Sequence, residues 1–435
     1  MIRVWADNQP AGLLDRHGER GSAFAYAEGI DPHRAVSMTM PVRLASWDHA
    51  WGIHPIFEQN MPEGALRERL RLAFAKATGT FDDFDLLSIV GRSQVGRLRY
   101  TAAAAALDEA VPFQAVDEIL SHRRDRDLFS YLLEKFAAYS GVSGVQPKVM
   151  IRDGQDSAVL AGAMGRSSTS LRGATHIIKL WDPSEYPQLA ANEYFCLRVA
   201  ERLARIGGLE VPRFRLAEDG AALVIDRFDL RADGSYLGVE DFCTLNARGT
   251  ADKYKGGYES VLFKRLGDFI PGDTRAAELE KLFILFAVNC ALRNGDAHLK
   301  NFALIYDDVL GTPRLAPVYD IVTTTVYLPK DSMALTLGGS TRWPNSKKLT
   351  AVGTLRCGLT PKRAKQVFEE VATAVSETAT EMRRYMADHP EFAIVGERML
   401  QEWANGVEQS LGFEPPAWKP ILSRSDGPPP PAINI

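Results

Sequence analysis

What this chain lacks narrows it first. Only four cysteines occur in 435 residues, Cys196, Cys243, Cys290 and Cys357, with no C-x-x-C pair and no histidine at zinc-site spacing. That excludes a disulfide framework and a cysteine-based zinc site, and the thiols read as buried groups in a reducing compartment. No stretch approaches the ~18 consecutive apolar residues of a membrane span. The start, Met1-Ile2-Arg3-Val4-Trp5-Ala6-Asp7, has no basic region followed by an apolar core. The expected location is therefore the cytoplasm, with no membrane partner. Charge of one sign is missing too: the formal net charge is −4 and the pI about 6.1, which does not point to a nucleic-acid or anionic-surface binder. The densest basic run, His122-Arg123-Arg124-Asp125-Arg126, is broken by an aspartate and reads as a solvated helix face.

What is there is ordinary in bulk, 46% hydrophobic and 24% charged, and long enough for two or three domains. Residues 1–110 read as a small α/β domain. Ile2 to Trp5 alternates like an edge strand, Asn8 to Gly12 supplies turn residues, Leu13-Leu14 begins a returning strand, and Pro62 opens a helix that Gly79 stops. An alanine-rich linker, Thr101 to Ala106, places a boundary near 105 to 125. A helix over Asp127 to Ala138 then leads to Ser140-Gly141-Val142-Ser143-Gly144-Val145-Gln146-Pro147-Lys148, whose glycines let backbone N–H groups approach phosphates. This loop is neither a Walker A loop, since no G-K-[ST] occurs, nor a G-x-G-x-x-G. A strand leaves it at Lys148 to Arg152.

Residues 153 to 173 are rich in Gly, Ser and Arg. Thr175 to Leu180 is a strand carrying Lys179 near its end, the placement by which kinases hold α- and β-phosphates. A helix from Leu189 through Ala204 carries Glu193, a candidate to hold that lysine in line, with Glu201 as the other carboxylate on it. Ala221 to Ile225 is a short strand, and Asp226-Arg227-Phe228 follow where a two-lobed kinase reads adenine through its main chain. Glu278 to Arg293 is apolar on almost every side and is expected as a buried helix. Thr360-Pro361 caps a long helix that ends at His389-Pro390, and the stretch from Asp426 is proline-rich.

The chemistry gathers at Asn294-Gly295-Asp296-Ala297-His298-Leu299-Lys300-Asn301-Phe302. Asp296 and Asn301 have the D-x-x-x-x-N spacing of a phosphotransferase catalytic loop, in which the Asp orients or deprotonates an attacking hydroxyl and the Asn holds magnesium. Phe302 to Tyr306 and Arg314 to Val318 read as a hairpin, which returns Asp320 to the neighbourhood of Asn301 as a second metal ligand.

The blocks Val90 to Gly96, Ser143 to Lys148, His176 to Leu180, Asn192 to Cys196, Asp226 to Asp229, Asn294 to Phe302 and Tyr319-Asp320 occur in the order seen in HipA-type toxin kinases, and the chain resembles that family over nearly its whole length. The resemblance implies an α+β, two-lobed protein-kinase-like fold with an additional small N-terminal α/β domain and a helical C-terminal lobe. Residues 1–110 would be the N-terminal domain, 125–230 the nucleotide-binding lobe, 231–420 the helical lobe and 424–435 a disordered tail. It implies an ATP- and Mg2+-dependent serine/threonine protein kinase, the toxin of a toxin–antitoxin module. Its targets would be aminoacyl-tRNA synthetases, whose phosphorylation halts translation and favours persistence, and its partner a HipB-type DNA-binding antitoxin.

By the resemblance, Asp296 is catalytic and Asn301 and Asp320 bind metal. Ser143, Gly144, Val145, Gln146, Lys148, Lys179, Asp226, Arg227, Phe228, His298 and Lys300 face ATP. One departure stands out: Gly141 occupies the place of a serine that many members autophosphorylate, which leaves Ser143 and Ser140 as candidates. Two other classes share the loop spacing, a small-molecule phosphotransferase and an inactive kinase-like scaffold or co-repressor. The N-terminal domain speaks against the first, and the presence together of Lys179, Asp296, Asn301 and Asp320 against the second.

Overall fold

The computed structural model describes residues 1–78, 81–121, 128–153, 172–181 and 186–414. The basic run at 122–126, Gly79, most of the glycine- and serine-rich stretch after 153 and the proline-rich tail lie outside the described residues. The fold is α+β, as expected, and is built as two compact units assembled from alternating stretches of chain. The first comprises Met1–Leu180, Pro212–Lys253 and Ala303–Ala316; the second comprises Trp181–Val211, Tyr254–Phe302 and the chain from Pro317 on.

In the first unit, strands β1 (Ile2–Ala6), β2 (Gln9–His17), β3 (Gly21–Tyr26), β4 (Trp47–His49) and β5 (Leu98–Ala102) form an antiparallel sheet in the order β4-β3-β2-β1-β5. The turn between β1 and β2 is shorter than the Asn8-to-Gly12 stretch expected. Asp7 and Asn8 both take positive φ, at 51° and 60°, conformations that short polar side chains tolerate. The returning strand therefore begins at Gln9, and Pro10 is absorbed where the register shifts beside Trp5. A second sheet, β6 (Lys148–Ile151), β7 (His176–Leu180), β8 (Phe214–Leu216) and β9 (Ala222–Asp226), runs in the order β6-β7-β9-β8. A third joins β10 (Gly238–Asp241), β11 (Ala303–Tyr306) and β12 (Arg314–Leu315). One apolar core runs from Val4 and Phe24 through Leu66 and Leu87 to Val149, Ile178 and Val224, so the stretch from 105 to 121 lies within a shared core.

Two of the blocks that carry the family resemblance meet here. Arg227 and Asp229, both buried, pair at 2.5 Å; Arg227 Nη2 also donates to Gln94 O (2.8 Å), and the Gly96 N–H donates to Asp229 (2.6 Å). A buried ion pair persists only when its remaining donors and acceptors are satisfied, and the Gln94-to-Gly96 main chain satisfies them.

The second unit is helical. The 28-residue helix Pro361–Asp388 starts where Thr360 accepts from the Arg363 N–H (3.1 Å) with proline at its first position. Arg198 and Arg202 of the helix Leu189–Arg205 both reach Glu381 on that long helix, at 2.9 and 2.8 Å. The buried helix is Gly272–Ala291, beginning before the expected Glu278 because its first turn and a half is polar and carries no apolar stripe. From Leu282 to Ala291 every residue is buried.

Candidate active site

The second unit holds the catalytic-loop candidates. Past Ala291 the chain turns sharply at Arg293, whose φ is +56°. Its guanidinium is buried and bonded to Ser410 Oγ (3.0 Å), Asn405 O (2.9 Å) and Gln409 Oε1 (2.8 Å), with the Trp343 ring 5.0 Å away. Burial lowers its pKa from the usual arginine value. Those contacts hold a backbone conformation that a non-glycine residue otherwise avoids. Next, the Gly295 N–H donates to Thr324 Oγ1 at 2.8 Å, and Thr324 in turn bonds the Asp331 carboxylate. A Cβ at position 295 would stand 2.0 Å from Asp331 Oδ2 and 2.7 Å from Ser332 O, so only glycine fits. Burial raises the pKa of Asp331, with the nearby Asp296 charge adding to it.

Asp296 is thereby delivered with its main chain fixed. Its N–H donates to Asn294 Oδ1 (3.2 Å), and its carbonyl accepts from the His298 N–H (2.7 Å) and from Asn301 Nδ2 (2.7 Å). Because the amide NH2 of Asn301 faces that carbonyl, its Oδ1 is the atom left to face outward. The Asp296 carboxylate, half-buried, accepts at Oδ1 from the Tyr254 hydroxyl at 2.7 Å.

Asp320 follows the hairpin as expected. Strands β11 and β12 pair Leu304 with Leu315 and Ile305 with Arg314, and beyond them Tyr319 OH donates to Lys300 O at 3.0 Å. The neighbours of Asp320 and of Asn301 are thus in direct contact. Asp320 itself has φ +51°. The chain after it is fastened by Asn192, whose amide accepts from the Thr323 N–H (2.8 Å) and donates to the Thr323 carbonyl (3.1 Å), and by Trp403 Nε1 on Thr323 Oγ1 (2.8 Å). Glu193, His298 and Lys300 are buried in the same unit.

The first unit holds the phosphate-binding candidates. Antiparallel pairing sets Lys148 of β6 directly opposite Lys179 of β7, and both are buried. Like charges at directly opposed positions repel unless counter-charges lie close. Lys148 Nζ donates to Ser143 O (3.0 Å), and Gly144, at φ +111°, donates its N–H to Glu63 Oε1 (3.1 Å). Val145 is exposed and Gln146 Nε2 donates to Leu180 O (3.2 Å).

Of the two serines, Ser140 is fully buried and bonded on both sides, to Phe136 O (2.7 Å) and from the Met150 N–H (2.8 Å), whereas Ser143 is partly exposed. At position 141 a Cβ would meet Gln94 Nε2 at 2.0 Å and Ser93 O at 2.4 Å, so the packing there leaves no room for a side chain.

The structure does not bring Asp226 to the lysines. It stands at the far end of β9, opposite His176, with His176 Nε2 at 3.3 Å and Arg215 at 3.6 Å. The N–H groups of Asp226 and Arg227 donate to Arg213 O and Thr175 O. Phe228 beside them is half-buried.

Sequence reasoning missed Tyr254, Arg293, Thr324 and Asp331. Nothing in the linear pattern marks the first, which lies 42 residues before Asp296; an arginine directly ending an apolar helix was the one available hint of the second. Among the described residues no group of three or more His, Cys, Asp or Glu side chains gathers as for a metal ion, and no helix is long and apolar enough to cross a membrane.

The chain matches two family descriptions, "HipA N-terminal domain" over residues 2–101 and "HipA-like C-terminal domain" over residues 140–379. It is 29% identical over 355 residues to a Sinorhizobium fredii protein named "Putative kinase Y4mE", covering 75% of this chain and 78% of that one. It is 28% identical over 319 residues to "Putative kinase Y4dM" of the same organism, covering 69% and 68%. Among solved structures it is similar to the Shewanella oneidensis MR-1 HipA determined with HipB and operator DNA, at a TM-score of 0.65 and 19% identity over 95% of this chain and 98% of that one. With both domains matched in order, and the C-terminal match alone covering more than half of its length, the chain belongs to the HipA family.

Proposed function

We propose that this HipA-family chain is an ATP-dependent serine/threonine protein kinase. It acts as the toxin of a HipBA-like module, with a HipB-type DNA-binding antitoxin as partner. Its substrate class is a translation component such as an aminoacyl-tRNA synthetase. The observation that carries the kinase reading is the bond from Asn301 Nδ2 to the Asp296 carbonyl. It fixes both ends of the D-x-x-x-x-N loop and divides their labour: the Asp296 carboxylate for a hydroxyl, Asn301 Oδ1 for a cation. The names of the two Sinorhizobium relatives and the HipB-bound neighbour agree with this reading.

The residues present fit the groups that the reaction requires. Asn301 Oδ1 and the Asp320 carboxylate offer two hard oxygens from adjoining segments, and magnesium completes such a partial set with phosphate oxygens and water. Bound there, it would neutralise charge on the phosphate oxygens. Lys148 and Lys179 present two ammonium groups on one sheet face for the phosphates. Glu193 is the candidate to orient Lys179, and Ser143 is the candidate for autophosphorylation. Asp296, with its main chain locked by three bonds, accepts the hydrogen bond of the attacking hydroxyl and takes its proton as transfer proceeds. Positioning of this kind costs no reorganisation at the moment of reaction.

The test is transfer of labelled phosphate from ATP, to the protein itself or to an added acceptor, by the parent and by Asp296→Asn. The expected loss is about a hundredfold or more. Transfer by Asp296→Asn at the parental rate would contradict the assignment.

A further inference from the structure

Tyr254 is half exposed, yet its hydroxyl lies 2.7 Å from the carboxylate proposed to receive the acceptor hydroxyl. That separation falls within the roughly 2.6–3.2 Å at which a general base must hold the group it deprotonates. The phenol therefore already makes the hydrogen bond that a serine or threonine acceptor has to make. Its ring lies edge-on against His298 at 5.0 Å, within the same loop.

Two roles are open to such a group. A prop would be needed to hold Asp296 in place, but the Asp296 main chain is already fixed by Asn294, His298 and Asn301, and the residue before it by Thr324. A placeholder would instead cover the carboxylate and give way when an acceptor arrives. The half exposure of Tyr254 leaves it room to do so, where a prop would be expected to be packed.

We propose that Tyr254 occupies the acceptor-hydroxyl position of Asp296 and is displaced by the side-chain hydroxyl of a protein substrate, so that it sets the threshold an acceptor must exceed to engage the base. The inference rests on the kinase reading of Asp296. An acceptor that binds weakly fails to displace the phenol, and the same contact keeps water from Asp296 Oδ1.

The test uses the full chain, with ATP and myelin basic protein as a generic acceptor, and compares the parent with Tyr254→Phe and Tyr254→Ala. Displacement predicts that both variants lower the acceptor KM by about three- to tenfold, leave the KM for ATP within about twofold, and raise ATP turnover against water. Tyr254→Phe keeps the ring against His298, so a shared response of the two variants isolates the hydroxyl. A fall in kcat of about tenfold or more at unchanged acceptor KM would make Tyr254 a positioning residue and overturn the proposal, as would kinetics indistinguishable from the parent. Asp296→Asn is run alongside: if it transfers phosphate as fast as the parent, or the parent transfers none, the kinase reading itself falls and this inference with it.

Discussion

Glu240 carries a carboxylate with no exposed surface. Ser37 Oγ (2.6 Å), the Met38 N–H (2.8 Å) and the Tyr306 hydroxyl (2.7 Å) all donate to it. Those bonds favour the charged form, but burial outweighs them and holds its pKa above the ordinary carboxylate value of 4.5. The native state therefore keeps a proton that the unfolded chain has already released. The contribution to stability is fully present below pH 4.5 and is lost as pH rises through the raised native value. Urea midpoints measured from pH 4.5 upward should fall for the parent relative to Glu240→Gln, which has no such proton to lose; parallel pH profiles would contradict the assignment. The same residue explains a strand that patterning overlooked. Gly238-Val239-Glu240-Asp241 has no apolar alternation, and Glu240 is inside because three donors meet it, not because it is hydrophobic.

At the scale of elements, the segments legible in advance are those whose signals are local. The Thr360-Pro361 cap, the apolar stripe of Pro361–Asp388 and the hairpin β11–β12 all lie within a few turns of chain. Pairings between distant stretches were not legible: β10 finds β11 only after the chain has passed through the second unit. Helix packing is equally hidden. Gly406 ends the helix Ala393–Gly406 where a Cβ would lie 1.9 Å from Ala291 O and 2.6 Å from its carbonyl carbon. Ala291 is the last residue of the helix that delivers the Asp296 loop. Gly406→Ala must push backbone from backbone, and overpacking of this kind costs about 1–3 kcal/mol or more. Chemical denaturation should show that loss, together with reduced phosphate transfer as the loop shifts; a variant as stable and as active as the parent would mean that the helices do not approach this closely.

For the molecule as a whole, the motifs did not reveal how the candidate residues are distributed between the two units. Both lysines belong to the first unit, and Asp296, Asn301 and Asp320 to the second, because the chain returns to the first unit at Pro212–Lys253 and again at Ala303–Ala316. No shift in composition marks those crossings. Spacing alone also could not reveal that Lys148 and Lys179 are cross-strand partners or that Asn192 grips Thr323, since both depend on register and packing.

The proposed kinase reading requires that the chain bind ATP with magnesium and that Lys179 and Asp320 each contribute to that binding. Calorimetric titration of the full chain with ATP and magnesium tests it most directly. The expected result is ATP–magnesium binding weakened by about tenfold or more in Lys179→Ala, which removes a cation proposed for the phosphates, and in Asp320→Asn, which removes a carboxylate proposed for the metal ion. Parental affinity in either variant, or a binding event that neither substitution touches, would contradict it.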